Sequence, residues 1–212
     1  MKFLQKTFLT GLFSLFLFGN ATTQAQSFAD VSSDHPYYEA IEYAKNNNIV
    51  KGYNNGLFSP FKTINRAEFT KIIIESLYSE EEISSCDTEK FSFPDVKNSD
   101  WFAKYVCVAK KEKIINGYAD GTFKASNTIT LPEAMKIILE GNEIGVDKYE
   151  GQEWQEPYME WAHNEGITQK IQNNRGLNIG TYKITRGEMA YIIMKIKISH
   201  IISLEKGNIV LL

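Results

Sequence analysis

Apolar residues recur at helical spacing in three separate segments of the chain. In the first segment, apolar side chains fall at positions i, i+3, i+4 and i+8, which is one stripe of a helix with 3.6 residues per turn. The three stripes consist of Phe69, Ile72, Ile73 and Leu77; of Met135, Ile138 and Leu139; and of Met189, Ile192, Ile193 and Ile196. The pattern predicts three amphipathic helices, each with one buried face.

Each predicted helix begins with a polar residue that is followed by a glutamate three positions later. The pairs are Asn65 with Glu68, Thr130 with Glu133, and Thr185 with Glu188. This spacing is typical of a capping box, in which the cap side chain and the glutamate each bind the other residue's backbone N–H. We interpret these six residues as structural helix caps, and not as a ring of carboxylates that binds a ligand.

The sequence upstream of the first two helices also repeats. Residues 28–31 read FADV and residues 93–96 read FPDV, and the segments GYNNGLF and GYADGTF follow at 52–58 and 117–123. The Asn-Gly and Asp-Gly pairs predict tight turns. A third copy lacks the FxDV motif and has a longer turn segment. We therefore expect three helix-turn-helix repeats, at 28–79, 91–142 and 149–198, with the third divergent.

The first 25 residues have the layout of a secretory signal peptide. Lys2 and Lys6 precede an apolar run at 8–18, and Thr23-Gln24-Ala25 forms a cleavage site with small residues. An apolar run of this length is too short for a bilayer core of about 30 Å, so we expect no membrane span after cleavage. The prediction is an exported chain with a tail at 199–212 that is able to extend the last helix.

The two cysteines, Cys86 and Cys107, are the only pair in the chain. In an exported protein such a pair favours a disulfide bond, and the alternative is two unpaired buried thiols. Two cysteines and three scattered histidines have no metal-ligand spacing, so we expect neither a metal nor another cofactor.

Composition limits the possible functions without naming one. The 212 residues are 43% hydrophobic and 23% charged, which is ordinary for a globular protein. The formal net charge of −3 offers no electrostatic basis for a nucleic-acid surface. The sequence does not single out a nucleophile, a phosphate-binding loop or a carboxylate pair for hydrolysis.

The combination of FxDV, GYxDGTF and a helix opened by a TRAE-like motif resembles the S-layer homology (SLH) domain. Here the motifs read FADV, GYNNGLF and INRAE in the first unit, FPDV, GYADGTF and ITLPE in the second, and ITRGE in the third. The resemblance implies a mainly α fold in which three SLH repeats form a pseudo-threefold arrangement around a central three-helix bundle.

The resemblance also implies a function and site residues. Such modules attach exported proteins to the cell envelope by holding wall-linked polysaccharide, often pyruvylated, in grooves between repeats. The main anion contact of the family, the arginine of the TRAE-like motif, corresponds to Arg66 and Arg186. The second unit has Leu131 and Pro132 instead of the Arg-Ala pair, so we expect a groove built on that motif to be weak or purely structural.

The physical chemistry of the residues supports part of this assignment. A guanidinium at the first position of a helix is slightly repelled by the helix dipole, so helix stability does not explain Arg66 and Arg186. The planar guanidinium, which suits a carboxylate ligand, does explain these two arginines. Aromatic or Gly-Tyr positions are further ligand-binding candidates, with core packing as the alternative: Gly52, Tyr53, Gly117, Tyr118, Trp101 and Trp154. We expect at least half of each tryptophan to be in the core.

The leading hypothesis is a non-catalytic, secreted module that binds cell-wall polysaccharide at the cell surface. The alternative is a structural subunit of an S-layer or surface complex, with other surface-layer proteins as partners. We do not expect an enzyme, because the three repeats occupy almost the whole chain after residue 25.

Overall fold

The computed structural model describes residues 28–172 and 179–205 of the chain, and this part is mainly helical. The α-helices are α1 (Tyr38–Asn46), α2 (Arg66–Leu77), α3 (Glu80–Ser84), α4 (Ala103–Lys111), α5 (Leu131–Gly141), α6 (Glu156–Asn164), α7 (Ile167–Gln172) and α8 (Arg186–Glu205), with a short 3-10 helix at Ile179–Thr181. The expected mainly α class is confirmed. The predicted signal peptide at 1–25, the end of the third turn segment and the end of the tail lie outside the described residues.

The three long helices α2, α5 and α8 begin with reciprocal capping boxes. The Glu68 N–H donates to the Asn65 side chain at 2.8 Å, and the Glu68 carboxylate accepts from the Asn65 N–H at 3.2 Å. The same pair of bonds joins Thr130 with Glu133, and Thr185 with Glu188. Each box satisfies backbone donors that the first turn of a helix leaves without partners.

Two helices were not anticipated from the sequence. Helix α3 lies in the connector between the first two units. Ser79 and Glu82 form another capping box there, and Ile83 is buried. Helix α7 takes the place of the turn segment in the third unit. In addition, α8 continues to Glu205, so the beginning of the expected tail at 199–212 belongs to this helix.

Three short extended segments, one before each long helix, are joined in a closed ring of hydrogen bonds. The Ile64 N–H donates to the Ile184 carbonyl at 3.3 Å, Ile184 to Ile129 at 3.2 Å, and Ile129 to Ile64 at 3.1 Å. All three isoleucine side chains are fully buried. In the described residues these contacts are isolated β-bridges, at 63–185, 65–128 and 130–183, and form no extended sheet.

The helices pack in the same closed order. Helix α2 packs on α4, α5 packs on α6, and α8 packs on α1. Each long helix thus contacts the first helix of the next unit, and the last unit returns to the first. Repeats of this size can stack into an open solenoid or close on themselves, and this packing supports the closed arrangement. Exact threefold symmetry and a central bundle of α2, α5 and α8 stay predictions.

The expected disulfide between Cys86 and Cys107 is confirmed, with an S–S distance of 2.01 Å and a Cα–Cα distance of 6.1 Å. Cys107 is fully buried on α4, whereas Cys86 follows α3 in the connector. The bond therefore fastens the connector between the first two units to the second unit.

We expect removal of this disulfide to lower the free energy of unfolding by about 3 kcal/mol, because the bond closes a loop with a sequence separation of 21. Urea denaturation of the wild-type chain and of the double variant Cys86→Ala/Cys107→Ala measures this loss. As a control, a reducing agent should destabilise the wild type and leave the variant unchanged. Equal stability of the oxidised wild type and the variant would contradict the prediction.

Candidate functional site

Arg66 extends from the start of α2 to the turn segment of the second unit. Its Nε atom donates to the carbonyl oxygen of Phe123 at 3.0 Å. The guanidinium carbon lies 4.9 Å from the ring centroid of Tyr118 and 5.2 Å from that of Phe123. The side chain is only 6% exposed, so the charge is held in an aromatic environment with little contact to bulk water.

Arg186 makes the equivalent contacts with the turn of the first unit. Its Nε atom donates to the Phe58 carbonyl at 2.7 Å, and its guanidinium carbon lies 4.5 Å and 4.7 Å from the rings of Tyr53 and Phe58. Each arginine therefore contacts the turn of the next unit in the closed order and not the turn of its own unit. The sequence identified both arginines but did not reveal these partners.

The aspartate of the FxDV motif holds each turn in place. Asp95 accepts hydrogen bonds from the backbone N–H groups of Phe123 and Lys124, both at 2.8 Å. Asp30 accepts from Phe58 and Ser59 at 2.8 Å and 2.6 Å. Because the phenylalanine carbonyls in turn accept the arginine bonds, these aspartates position the arginines indirectly. The repeat alignment found the aspartates, but nothing in the sequence indicated this role.

The glycines of the two Gly-Tyr pairs have a packing explanation. Gly117 has a φ of +80°, and a Cβ atom there would lie 2.6 Å from Cε1 of Phe93. A Cβ on Gly52, with a φ of +71°, would lie 2.4 Å from Cε1 of Phe28. The phenylalanine of each FxDV motif therefore requires the glycine, whether or not a ligand binds nearby.

The Arg66 groove, as we name it, is a cleft of about 380 Å³ to which all three units contribute. Its polar and aromatic lining includes Arg66, Tyr118, Glu133, Lys136 and Trp154. The Arg186 groove is the corresponding cleft of about 150 Å³ at the first unit. The equivalent residues in its lining are Arg186, Tyr53, Glu68 and Lys71. Glu75 also lines this groove.

The arginine is missing at the third equivalent position. The Leu131 N–H donates to the Tyr182 carbonyl, as those of Arg66 and Arg186 donate to Asn127 and Lys62, but the Leu131 side chain is fully buried. A cleft of about 250 Å³ lies at α1 and α8, and Pro36, Lys170 and Tyr191 are among its lining residues. Among the described residues, no arginine lines this third cleft.

Burial dominates the electrostatics of both arginines. It lowers the pKa of Arg66, against the opposing influence of Tyr118 and Glu133, and lowers that of Arg186, against Tyr53. Burial together with a hydrogen bond to Glu133 raises the pKa of Tyr118 to about 12, although the Arg66 charge opposes this. Among the described residues, neither arginine has a carboxylate oxygen within 4 Å. Both grooves thus hold a desolvated cation that an anion would stabilise.

The two candidate tryptophans differ in position. Trp154 lines the Arg66 groove and is 49% exposed, which agrees with the expectation that half of it is in the core. Trp101 is 55% exposed, so the same expectation is wrong for this residue. Trp101 precedes α4 and packs edge-on against Phe102, and it is not among the lining residues of the Arg186 groove.

Two other classes of site have no support in the described part of the chain. The His, Cys, Asp and Glu side chains there form no group of three or more that could hold a metal ion. Over the same residues, no helix combines the length and apolar character required to cross a bilayer.

Comparison with known proteins relates two of the three units to a family. The model of the S-layer homology domain matches residues 27–70 and 92–135. The first two units are therefore S-layer homology domains, and the resemblance seen in the sequence is confirmed for them. The assignment of the third unit to the family stays a prediction, supported by the equivalent contacts of Arg186.

Several relatives with curated names match part of the chain. The "Middle cell wall protein" of Brevibacillus brevis is 35% identical over 120 residues, which are 56% of this chain and 10% of the relative. The "Surface layer protein" of Brevibacillus choshinensis is 39% identical over 93 residues, 43% of this chain and 8% of the relative. The "Cellulosome-anchoring protein" of Acetivibrio thermocellus is 30% identical over 119 residues, 56% of this chain and 26% of the relative. Some further matches are named as enzymes. The chain thus covers a tenth or less of the first two relatives.

We expect Gly117→Ala to destabilise the fold more than Gly121→Ala. Both glycines have positive φ angles, +80° and +78°, so both substitutions carry the backbone cost of about 1–2 kcal/mol. Only the Gly117 substitution also forces a Cβ against Phe93, which adds about 1–3 kcal/mol. Urea denaturation measures both losses, and equal losses would show that Phe93 does not require the glycine.

We expect Asp95→Asn to cost about 1 kcal/mol at neutral pH, at the lower end for charged hydrogen bonds because the carboxylate is exposed to solvent. Although burial alone would raise the pKa of Asp95, the bonds from Phe123 and Lys124 lower it below the usual 3.8. A lowered pKa stabilises the fold fully above 3.8 and loses that effect as the pH falls through the folded-state value.

The difference in unfolding free energy between wild type and Asp95→Asn should therefore be constant near pH 7 and shrink below pH 3.8. Asp100→Asn is a matched control, because Asp100 accepts a single backbone N–H, from Lys97, and should cost less. A difference that grows on acidification would contradict the assigned role of Asp95.

Proposed function

We propose that this chain is a non-catalytic module that binds acidic cell-wall polysaccharide through the Arg66 and Arg186 grooves and thereby anchors a protein to the cell surface. The observation that carries the proposal is the pair of buried guanidinium groups. Each lies against two aromatic rings and lines a cleft, and neither has a carboxylate partner among the described residues.

The chemistry of the grooves suits an acidic sugar. The Nε atom of each arginine is bonded to a backbone carbonyl, and the described residues accept no other hydrogen bond from either guanidinium. The terminal nitrogens are available for a carboxylate, which a planar guanidinium can bind through two parallel hydrogen bonds. The neighbouring tyrosine rings, Tyr118 and Tyr53, supply apolar faces for a sugar ring. A pyruvate ketal is the kind of substituent that would present such a carboxylate.

The family and the names of the relatives support the anchoring part of the proposal. S-layer homology domains occur in relatives named as surface-layer, cell-wall and cellulosome-anchoring proteins. At this level the expected cell-surface location is confirmed. Since other relatives are named as enzymes, the proposal that the chain is not an enzyme rests on its own repeats, which fill most of the described residues.

A second candidate is a structural subunit of a surface layer, and the match to the "Surface layer protein" of Brevibacillus choshinensis favours it. In that case other copies or other surface proteins are the principal partners. The two candidates differ in whether the grooves are needed for attachment.

We expect the double variant Arg66→Ala/Arg186→Ala to remain folded but to lose at least tenfold in affinity for purified wall polysaccharide that carries acidic substituents, because each guanidinium supplies a charge-assisted bond. Sedimentation of the protein with the polysaccharide measures binding, and circular dichroism checks the fold. As a control, mild-acid removal of the substituents should weaken wild-type binding to the level of the variant. Unchanged sedimentation of the variant would exclude the arginine grooves and favour assembly through protein contacts.

A further inference from the structure

The two arginine grooves have the same framework but differ in size. Tyr118, Glu133 and Lys136 in the Arg66 groove correspond by sequence position to Tyr53, Glu68 and Lys71 in the Arg186 groove. The Arg66 groove is nevertheless more than twice as large, at about 380 Å³ against about 150 Å³. The two grooves also differ in the contacts of this lysine and in the presence of a tryptophan in the lining.

The lysine is the first of these residues. In the Arg186 groove, Lys71 forms a salt bridge of 3.0 Å with Glu75, which itself lines the groove. This pair is internally neutral and occupies space that a ligand would need. A carboxylate ligand would have to compete with Glu75 for Lys71.

In the Arg66 groove the corresponding salt bridge is absent from the described residues. Glu140, the counterpart of Glu75, accepts a hydrogen bond from the Tyr158 hydroxyl, as Glu75 does from that of Tyr105, but its ion pair is with the ammonium of Lys148 at 3.4 Å. Lys148 belongs to the connector before the third unit, so Glu140 has a lysine partner from outside its own helix that Glu75 lacks among the described residues. Lys136 itself has no carboxylate oxygen within 4 Å in the described part of the chain.

Arg66 and Lys136 are thus two cations that line one cleft and form no salt bridge within 4 Å among the described residues, although the Glu133 and Glu140 carboxylates act on them from farther away. Burial lowers the pKa of Lys136, Glu140 opposes this, and the charges of Lys148 and Arg66 lower it further. An anion bound in this cleft would compensate both cations and relieve their mutual repulsion.

Trp154 is the second residue that distinguishes the grooves. It is half-exposed in the lining of the Arg66 groove, and the Lys136 ammonium lies 5.7 Å from its ring centroid. An aromatic face beside two cations can contact the apolar face of a sugar while the cations bind its carboxylate. Trp101, its counterpart in sequence, does not line the Arg186 groove.

We propose that Lys136 and Trp154 are specificity-determining residues, and that with Arg66 they make the Arg66 groove the principal site for a carboxylate-bearing sugar, whereas Glu75 neutralises Lys71 in the Arg186 groove. This inference rests on the proposed function, because it assigns unequal roles to the two grooves of that function.

The test compares Lys136→Gln with Lys71→Gln, a matched pair at equivalent positions of α5 and α2. The probe is wall polysaccharide with its acidic substituents, and isothermal titration measures the affinity. We expect Lys136→Gln to weaken binding about tenfold or more, the effect of losing one hydrogen bond to a charged group, and Lys71→Gln to weaken it less than threefold. Melting temperatures near that of the wild type confirm that both variants are folded.

Fluorescence provides a second readout that does not depend on charge. The chain has three tryptophans, and Trp154 lines the Arg66 groove. We therefore expect the acidic polysaccharide to change the tryptophan fluorescence of the wild type and of Trp101→Phe, and to change that of Trp154→Phe much less. Glu75→Gln should increase binding, because it frees Lys71 of its partner.

The outcomes separate the inference from the function on which it rests. Equal losses of affinity in the two lysine variants would overturn the unequal roles of the grooves, and so would a fluorescence change that survives in Trp154→Phe. Wild-type binding to the acidic polysaccharide would still support the proposed function in either case. A wild-type chain that does not distinguish acidic from acid-stripped polysaccharide would overturn both.

Discussion

The rest of the structure depends on the ring of hydrogen bonds that joins Ile64, Ile129 and Ile184. These bonds connect residues that are far apart in the chain, and the three side chains are fully buried at the ring. Because the ring fixes the segment before each long helix, it also fixes where the first helical residue lies. Arg66 and Arg186 are those residues, so their reach into the next unit is a consequence of the ring.

A second chain of contacts runs through each turn and links the motifs of different units. The Asp95 carboxylate binds the Phe123 N–H, the Phe123 carbonyl binds Arg66, and the ring of Phe93 packs where Gly117 has no side chain. The motif FPDV thus positions an arginine that belongs to another repeat. The first two units, which both have FxDV and Gly-Tyr, are therefore the two whose turns receive an arginine from another unit, Arg66 in the second and Arg186 in the first.

In the described part of the chain, the arginine and the Gly-Tyr turn are both missing at one of the three interfaces between units. Leu131 in the second unit faces the third unit through its bond to Tyr182, and the third unit is also the one that has α7 in place of the Gly-Tyr turn. The departures in two repeats therefore belong to one site. The two departures, one in unit two and one in unit three, meet at a single interface. This interface keeps its backbone contact, and no arginine lies in it among the described residues. The two remaining grooves carry the proposed binding function.

Local sequence by itself determined the capped helices, because capping and helical periodicity depend on neighbouring residues. It favoured the disulfide, and the family resemblance singled out the two arginines. The helices α3 and α7 were missed, although the Ser79 and Glu82 pair was a usable signal for α3. Only the tertiary structure decided which turn each arginine contacts and which lysine is free. The pairing of Glu140 with Lys148 and not with Lys136 depends on where a connector passes, and spacing along α5 cannot encode that. The inequality of the two grooves is therefore a property of the packed units, since equivalent residues in sequence acquire different neighbours in space.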